Sequence, residues 1–339
     1  MRIALDGMGG DYAPREVVKG AIEALKEFSD LFIVLTGLEQ DLRKELSRYS
    51  EEFTERISIY PTTQVITMHD HPKDALLMKK DSSLYKAVEL VRDGDANGIV
   101  SAGNTGAQMA ISLFVLGRIK GIIRPAIAVP LPYPNGKMGI LIDAGANADV
   151  KERELLQFGL LGKVYLENIL SRPVTIGLLN IGAEKEKGSK LTQKAYELFE
   201  QAFPNFKGNV EGNDILADKV DVIVTDGFTG NVAIKSIEGT AERIVEAFRD
   251  QIRNSKLAAV GALIMKGALK NIFKQFDYET FGGSPLLGVN GVSIIAHGRS
   301  SHRAIKNAIK TCYRMVSEEV IKKTAEQLQN EVFTGKDKQ

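Results

Sequence analysis

The chain has 339 residues, with 44 lysines and arginines against 43 acids and a single cysteine. The near-zero balance excludes the global electrostatic attraction that drives nucleic-acid binding, and one cysteine excludes an internal disulfide framework or a cysteine-built zinc site. The length suits one catalytic α/β unit, taken as residues 1–335, with two lobes sharing a cleft as the allowed variant.

The first residues, MRIALDGMGGD, run straight into a strand and a glycine turn, not into a leader. No stretch reaches the roughly 18 to 20 uncharged apolar residues that span a bilayer. The expectation is a soluble, cytoplasmic protein. After Pro14, at a first helical position, Arg15 to Phe28 carries apolar residues at three- and four-residue spacing and predicts a helix. The same pattern of apolar strand, Gly/Asn/Asp turn and amphipathic stretch recurs. Gly98 to Val100 leads into SAGNTGA, Gly139 to Ile142 into DAGANAD, Thr175 to Leu179 into NIGAEKEKG, and Val220 to Thr225 into DGFTGN.

Continuous Val/Ile/Leu strands alternating with helices predict an α/β fold, a doubly wound and mainly parallel sheet in an α/β/α sandwich. The Pro/Gly-rich stretches Arg124 to Gly139 and Phe281 to Gly291 read as breaks, each followed by another strand-like run. Residues 240–277 form a helical segment with Leu269 on its apolar face and Lys266, Lys270 and Lys274 on another. Such a helix packs on the core or a second subunit, or it meets a membrane surface or an acidic protein.

In a parallel sheet ligands bind beyond the carboxyl ends of the strands, so all five Gly/Asn/Asp loops are expected on one edge. Free N–H groups and helix N-termini favour an anion there. The chain lacks G-x-x-x-x-G-K-[ST], a completed G-x-G-x-x-G, and a G-x-S-x-G elbow, which counts against ATP, dinucleotide and serine-triad chemistry. The four histidines, at positions 69, 71, 297 and 302, do not form H-E-x-x-H, so no metal site is expected. Cys312 sits in a helical stretch and reads as a packed hydrophobe. Asn104, Asn147 and Asn231 are neutral donors suited to an oxyanion, Asp143 and Asp226 are bases or orienters at strand ends, and Lys187 lies in the lysine-rich loop. Each loop taken alone is also explained by turn conformation.

Taken together, DGMGGDYAP, KKDSS, IVSAGNTGA, LIDAGANAD, GLLNIGAEKEKG, VTDGFTGN and FGGSPLLGVNGVSIIAHG resemble the bacterial phosphate acyltransferase family, in order, from the first strand to at least Ala308. Tyr12, Leu76-Leu77-Met78 and Ser284 depart from its usual residues. The resemblance implies a homodimeric enzyme, related in fold to isocitrate/isopropylmalate dehydrogenases and phosphotransacetylases, using no cofactor. Its substrates would be an acyl-acyl carrier protein and inorganic phosphate. The product, a fatty acyl phosphate, would go to a membrane glycerol-3-phosphate acyltransferase in phospholipid synthesis.

On that reading, Asn104 and Asn231 hold phosphate or oxyanion together with Gly103, Thr105, Gly106, Thr229 and Gly230. Lys187 neutralises charge, and Asp143, Asn147, Glu184 and Asp226 orient the donors. Lys79, Lys80, Lys266, Leu269, Lys270 and Lys274 would meet the acidic carrier protein or the membrane surface. The alternatives are a phosphotransacetylase using acyl-coenzyme A, a dinucleotide-dependent dehydrogenase of similar fold, and a non-catalytic acyl-carrier or membrane-binding module.

Overall fold

The computed structural model describes residues 1–133, 136–267 and 282–330. The first half of the chain forms β1 (Arg2–Asp6), α1 (Arg15–Glu27), β2 (Phe32–Gly37), α2 (Glu39–Leu46), α3 (Glu51–Thr54), β3 (Ile57–Pro61), α4 (Pro72–Met78), α5 (Ser83–Arg92), β4 (Gly98–Ser101) and α6 (Thr105–Val115). There follow β5 (Ala126–Pro132), β6 (Met138–Ile142), α7 (Glu152–Leu170), β7 (Ile176–Leu179), α8 (Lys190–Ala202), β8 (Phe206–Val210), β9 (Val222–Val224), α9 (Gly227–Asn254), α10 (Lys256–Ile264), β10 (Ser284–Leu287) and β11 (Val292–Ile295). Two helices, His302–Ser317 and Val320–Asn330, complete the described chain.

The strands join in one 11-stranded sheet of order β3-β2-β1-β4-β11-β10-β5-β6-β9-β7-β8. Core strands such as β4 and β9 are buried along their whole length, which is why they read as unbroken apolar runs. Helices cover the sheet: the apolar stripe of α1 (Val17, Val18, Ala21, Ile22, Leu25) is buried, and so are thirteen residues of the long α7. Cys312 is fully buried in this packing, and burial pushes its thiol up. It is a core side chain.

Two antiparallel strands in the middle reverse the sheet. β1, β2, β3, β4 and β11 run parallel to one another, β10 is antiparallel to both β11 and β5, and β5 is antiparallel to β6. From β6 onward the strands β9, β7 and β8 are again mutually parallel, but they point opposite to β1 and β4. The expectation that all five loops share one edge is therefore not met. DGMGGD and SAGNTGA leave one rim of the sheet, while DAGANAD, DGFTGN and NIGAEKEKG leave the other. A five-residue strand such as β6 rises about 16 Å at roughly 3.3 Å per residue. SAGNTGA and DGFTGN therefore leave the sheet at opposite rims, on strands five ladder steps apart.

The reversal comes from β5 and β10, which carry Pro130, Pro132 and Pro285 and therefore look like connectors in the sequence. The long helical segment also differs from its expected bounds. It begins at Gly227, directly after Asp226, breaks at Ser255, and resumes as α10, whose N-cap is the Ser255 side chain. Residues 268–281, which include Leu269, Lys270 and Lys274, lie outside the described residues.

Candidate active site

At the second rim, where β6 and β9 end, the DAGANAD and DGFTGN loops interlock. Asp143 is fully buried, and five donors converge on its carboxylate. Oδ1 accepts from the N–H groups of Ile127 (3.0 Å), Gly145 (3.2 Å) and Ala146 (3.0 Å). Oδ2 accepts from the Asn147 N–H (2.7 Å) and Nδ2 (2.9 Å). Burial pushes this carboxyl up from its ordinary value, while the N–H groups of Ala146, Ile127 and Asn147 pull it back. Asp143 is thus the hub that shapes the loop, as an orienting residue should be. Asn147 is spent in the same way, its side-chain amide donating also to Pro125 O (2.8 Å), while its backbone carbonyl accepts from Gly227 N (2.8 Å).

DGFTGN is the first turn of α9. Asp226 is its N-cap: Oδ1 accepts from Thr229 N (2.8 Å) and Oδ2 from the Thr229 hydroxyl (2.7 Å). The glycines are there for packing. A Cβ on Gly230 would sit 2.0 Å from Asp143 O, and one on Gly227 would sit 2.7 Å from both Asn147 N and O. Gly230→Ala should therefore force the α9 first turn off the loop, at a cost of about 2 to 3 kcal/mol. A melting temperature equal to wild type would contradict that packing.

Asn231 is half-buried, and its amide makes one bond, to Ala144 O at 3.2 Å. It stands over Gly145, whose φ of 139° and lack of a Cβ allow Asn231 Nδ2 to approach. Beside it, β9 pairs with β7, so the NIGAEKEKG loop leaves the sheet one strand away, about 5 Å along the ladder. Asn180 Nδ2 donates to Lys187 O (3.1 Å) and Asn209 Nδ2 to Glu184 O (2.8 Å), which fixes the loop by its backbone. Lys187 and Glu184 are exposed. Lys185 is held by Glu200 at 2.5 Å, whereas no ion pair holds Lys187 among the described residues.

The first rim is built on the same plan around a different acid. Asp6 ends β1, is 2 % exposed, and accepts from the Ser101 hydroxyl at 2.7 Å and Met8 N at 3.3 Å. Burial pushes its carboxyl up as well. Ser101 Oγ in turn accepts from Gly103 N at 3.0 Å, and Gly9 packs against all three groups. Asp6 was not singled out in the sequence, although an acid as the last residue of a strand before a glycine turn is the signal that also marks Asp143.

Asn104 is 8 % exposed and fully used. Its Oδ1 caps α6 through Ala107 N (3.0 Å), and its amide donates to the carbonyls of Thr67 (3.2 Å), Met68 (3.3 Å) and Asp70 (2.9 Å). Thr105 is exposed and Gly106 half-buried against Pro72. Nearby, Lys79 is paired with Asp70 at 2.6 Å, which holds the Asp70 carboxyl below its usual range. Lys80 is exposed, as is Lys266 just past α10. Three of the four histidines serve local structure: His71 Nδ1 accepts from Lys73 N (3.3 Å), His297 Nδ1 from Arg299 N (3.1 Å), and His302 meets Glu16 at 2.7 Å. Among the described residues no group of three His, Cys, Asp or Glu could hold a metal ion.

The fold as a whole is similar to that of solved phosphotransacylases. The phosphotransacetylase from Streptococcus pyogenes superposes with a TM-score of 0.59 at 16% identity, over 98% of this chain and 94% of its own. A branched-chain phosphotransacylase from Enterococcus faecalis V583 gives 0.58 at 16% identity, over 93% and 99%. At that identity the likeness concerns the fold.

Sequence relatives go further. The family model described as "Fatty acid synthesis protein" matches residues 1–323. The curated phosphate acyltransferase of Clostridium tetani (strain Massachusetts / E88) is 47% identical over 331 residues, 97% of this chain and 98% of that protein. The chain belongs to the phosphate acyltransferase family, and is an enzyme of the acyltransferase class.

Proposed function

We propose that this enzyme transfers a fatty acyl group from the thioester of an acyl carrier protein to inorganic phosphate, as an early step of phospholipid synthesis. The observation that carries the site reading is the second rim. A half-buried asparagine with a single long hydrogen bond lies at the N-terminus of a 28-residue helix, one strand from a lysine with no ion-pair partner among the described residues. Phosphate is anionic at neutral pH and needs no base to become a nucleophile. A phosphate oxygen forms the new C–O bond at the thioester carbonyl, the tetrahedral oxyanion collapses, the C–S bond breaks, and the thiolate leaves to take a proton from solvent. The enzyme's task is to place the two reactants and to stabilise that oxyanion.

Lys187 and Asn231 are assigned to phosphate and oxyanion, assisted by the Thr229-Gly230 turn. Asp143, Asn147, Asp226 and Glu184 hold the loops. Gly103, Asn104, Thr105 and Gly106 form a separate cradle on the first rim, reached by a donor as long as a carrier-borne thioester. Arsenate in place of phosphate tests the chemistry. It should give free fatty acid and thiol without net acyl phosphate, and thioester consumption indifferent to both anions would reject the proposal.

Two further assignments follow from α9 and α10. Only Gly227 and Gly230 of α9 are buried, and Phe228, Val232, Ser236 and Gly239 are exposed on one face. A second copy of the chain is assigned to that face, giving a homodimer. On α10, Leu257, Val260, Leu263 and Ile264 are 56 to 83% exposed, and Lys266 follows them. No helix among the described residues is long and apolar enough to cross a membrane. An exposed apolar helix with a flanking lysine fits contact with the surface of the cytoplasmic leaflet, where a membrane glycerol-3-phosphate acyltransferase would take the product. Leu263→Glu should reduce co-sedimentation with anionic vesicles several-fold and leave turnover of soluble substrate unchanged. Unchanged sedimentation would sink the membrane assignment.

A further inference from the structure

We propose that the 117–125 loop, between α6 and β5, is the docking platform for the acidic protein that carries the acyl thioester to the second rim. The inference rests on the function proposed above and adds where the carrier sits. The loop reads GRIKGIIRP, with three bases (Arg118, Lys120, Arg124) and no acid. The adjoining stretch, Asp149 to Glu154, alternates in sign, so the positive charge is concentrated in the loop.

The loop is preformed. Ile119 and Ile122 are 2 % and 5 % exposed and pin it to the core. The buried Gln157 of α7 bridges it from beneath, its Oε1 accepting from Ile123 N at 2.7 Å and its Nε2 donating to Gly121 O at 2.8 Å. From the turn after β10, Asn290 N donates to Gly117 O (2.9 Å) and Asn290 Nδ2 to Arg118 O (3.0 Å). The Arg118 guanidinium donates to Ile123 O. With its backbone held on both sides, the loop turns Arg118, Lys120, Ile123 and Arg124 outward, all exposed. An apolar side chain among cations on a rigid support suits an acidic helix that brings carboxylates around a hydrophobic contact.

Position supports the same partner. The loop ends at Pro125, whose carbonyl accepts from Asn147 Nδ2, and two residues later Ile127 N donates to Asp143 Oδ1. The platform and the reacting loop are one hydrogen-bonded unit, so a carrier seated on it delivers its thioester at the second rim. Several bases elsewhere are engaged within the chain, Lys79 by Asp70, Lys137 by Asp218, Lys185 by Glu200, and Lys306 and Lys310 by Glu27. Arg124 shares its charge with Glu154 at 3.0 Å, which leaves Lys120 without an ion-pair partner among the described residues.

The test is steady-state kinetics of the full chain with two donors, the thioester on an acyl carrier protein and the same acyl group on coenzyme A, which has no protein to dock. Lys120→Glu removes none of the hydrogen bonds that hold the loop. It should raise KM for the carrier-borne donor about tenfold and weaken its dependence on salt. KM for the coenzyme A thioester, KM for phosphate and the melting temperature should stay at wild-type values. Lys120→Ala should fall between. An unchanged carrier KM would overturn the proposal, as would an equal rise for both donors, which places the effect in the reacting site. Loss of anionic-vesicle binding with an unchanged carrier KM would assign the loop to lipid and also overturn it. Wild-type protein inert towards the carrier thioester would reject the proposed function, and the platform with it.

Discussion

Asp143→Ala is expected to destabilise the enzyme by about 3 to 5 kcal/mol and to abolish activity, because it leaves five donors in a buried site with no acceptor. Four of the five are backbone N–H groups, which cannot turn away without unmaking the loop. The loss is therefore structural first and catalytic in consequence. Asp143→Asn keeps one acceptor oxygen and should retain a larger share of stability, although its amide faces the Asn147 donors. Chemical denaturation of the three proteins measures the order directly. An alanine variant within about 1 kcal/mol of wild type would mean that water replaces the carboxylate, and that Asp143 is not the hub of the second rim.

Lys187→Ala should behave in the opposite way, with no change in melting temperature and a fall in kcat/KM of about a hundredfold or more. The side chain is exposed and its loop is fixed by backbone contacts from Asn180 and Asn209, so removing it costs the fold little. Losing one preorganised charge or donor aimed at a developing oxyanion costs on the order of 10²- to 10³-fold. Asn231→Ala should show a comparable loss, since its one bond to Ala144 O is long and contributes little to folding. Asn104→Ala is the contrast: it breaks a helix cap and three ties to the 67–70 segment, so its deficit should appear in stability. Near-wild-type turnover in a folded Lys187→Ala protein would remove Lys187 from the mechanism.

The sequence made the parallel strands and their Gly/Asn/Asp loops legible, because strands buried on both faces leave unbroken Val/Ile/Leu runs and helices leave a 3.6-residue period. It did not reveal the reversal at β5 and β10. Proline is a poor marker of a strand, and strand direction leaves no trace in a single strand's residues. The error mattered for function, because it pooled loops that belong to opposite rims. Side-chain roles were legible by type but not by partner. Asn104, Asn147 and Asn231 look alike as neutral donors, yet two are spent on carbonyls and only Asn231 retains capacity. The same holds for DGFTGN: Asp226 is a cap, and its glycines make room for Asp143 and Asn147. The role of Asp6 is not legible locally, because its side-chain partner Ser101 lies 95 residues away.

The most direct measurement is to incubate the purified chain with palmitoyl-acyl carrier protein and inorganic phosphate, and to follow acyl phosphate and free thiol together. The account predicts that both appear in equal amounts, only with phosphate present, and that Lys187→Ala suppresses both equally. Thiol release without acyl phosphate, or acyl phosphate formation that survives loss of Lys187 in a folded protein, would contradict it.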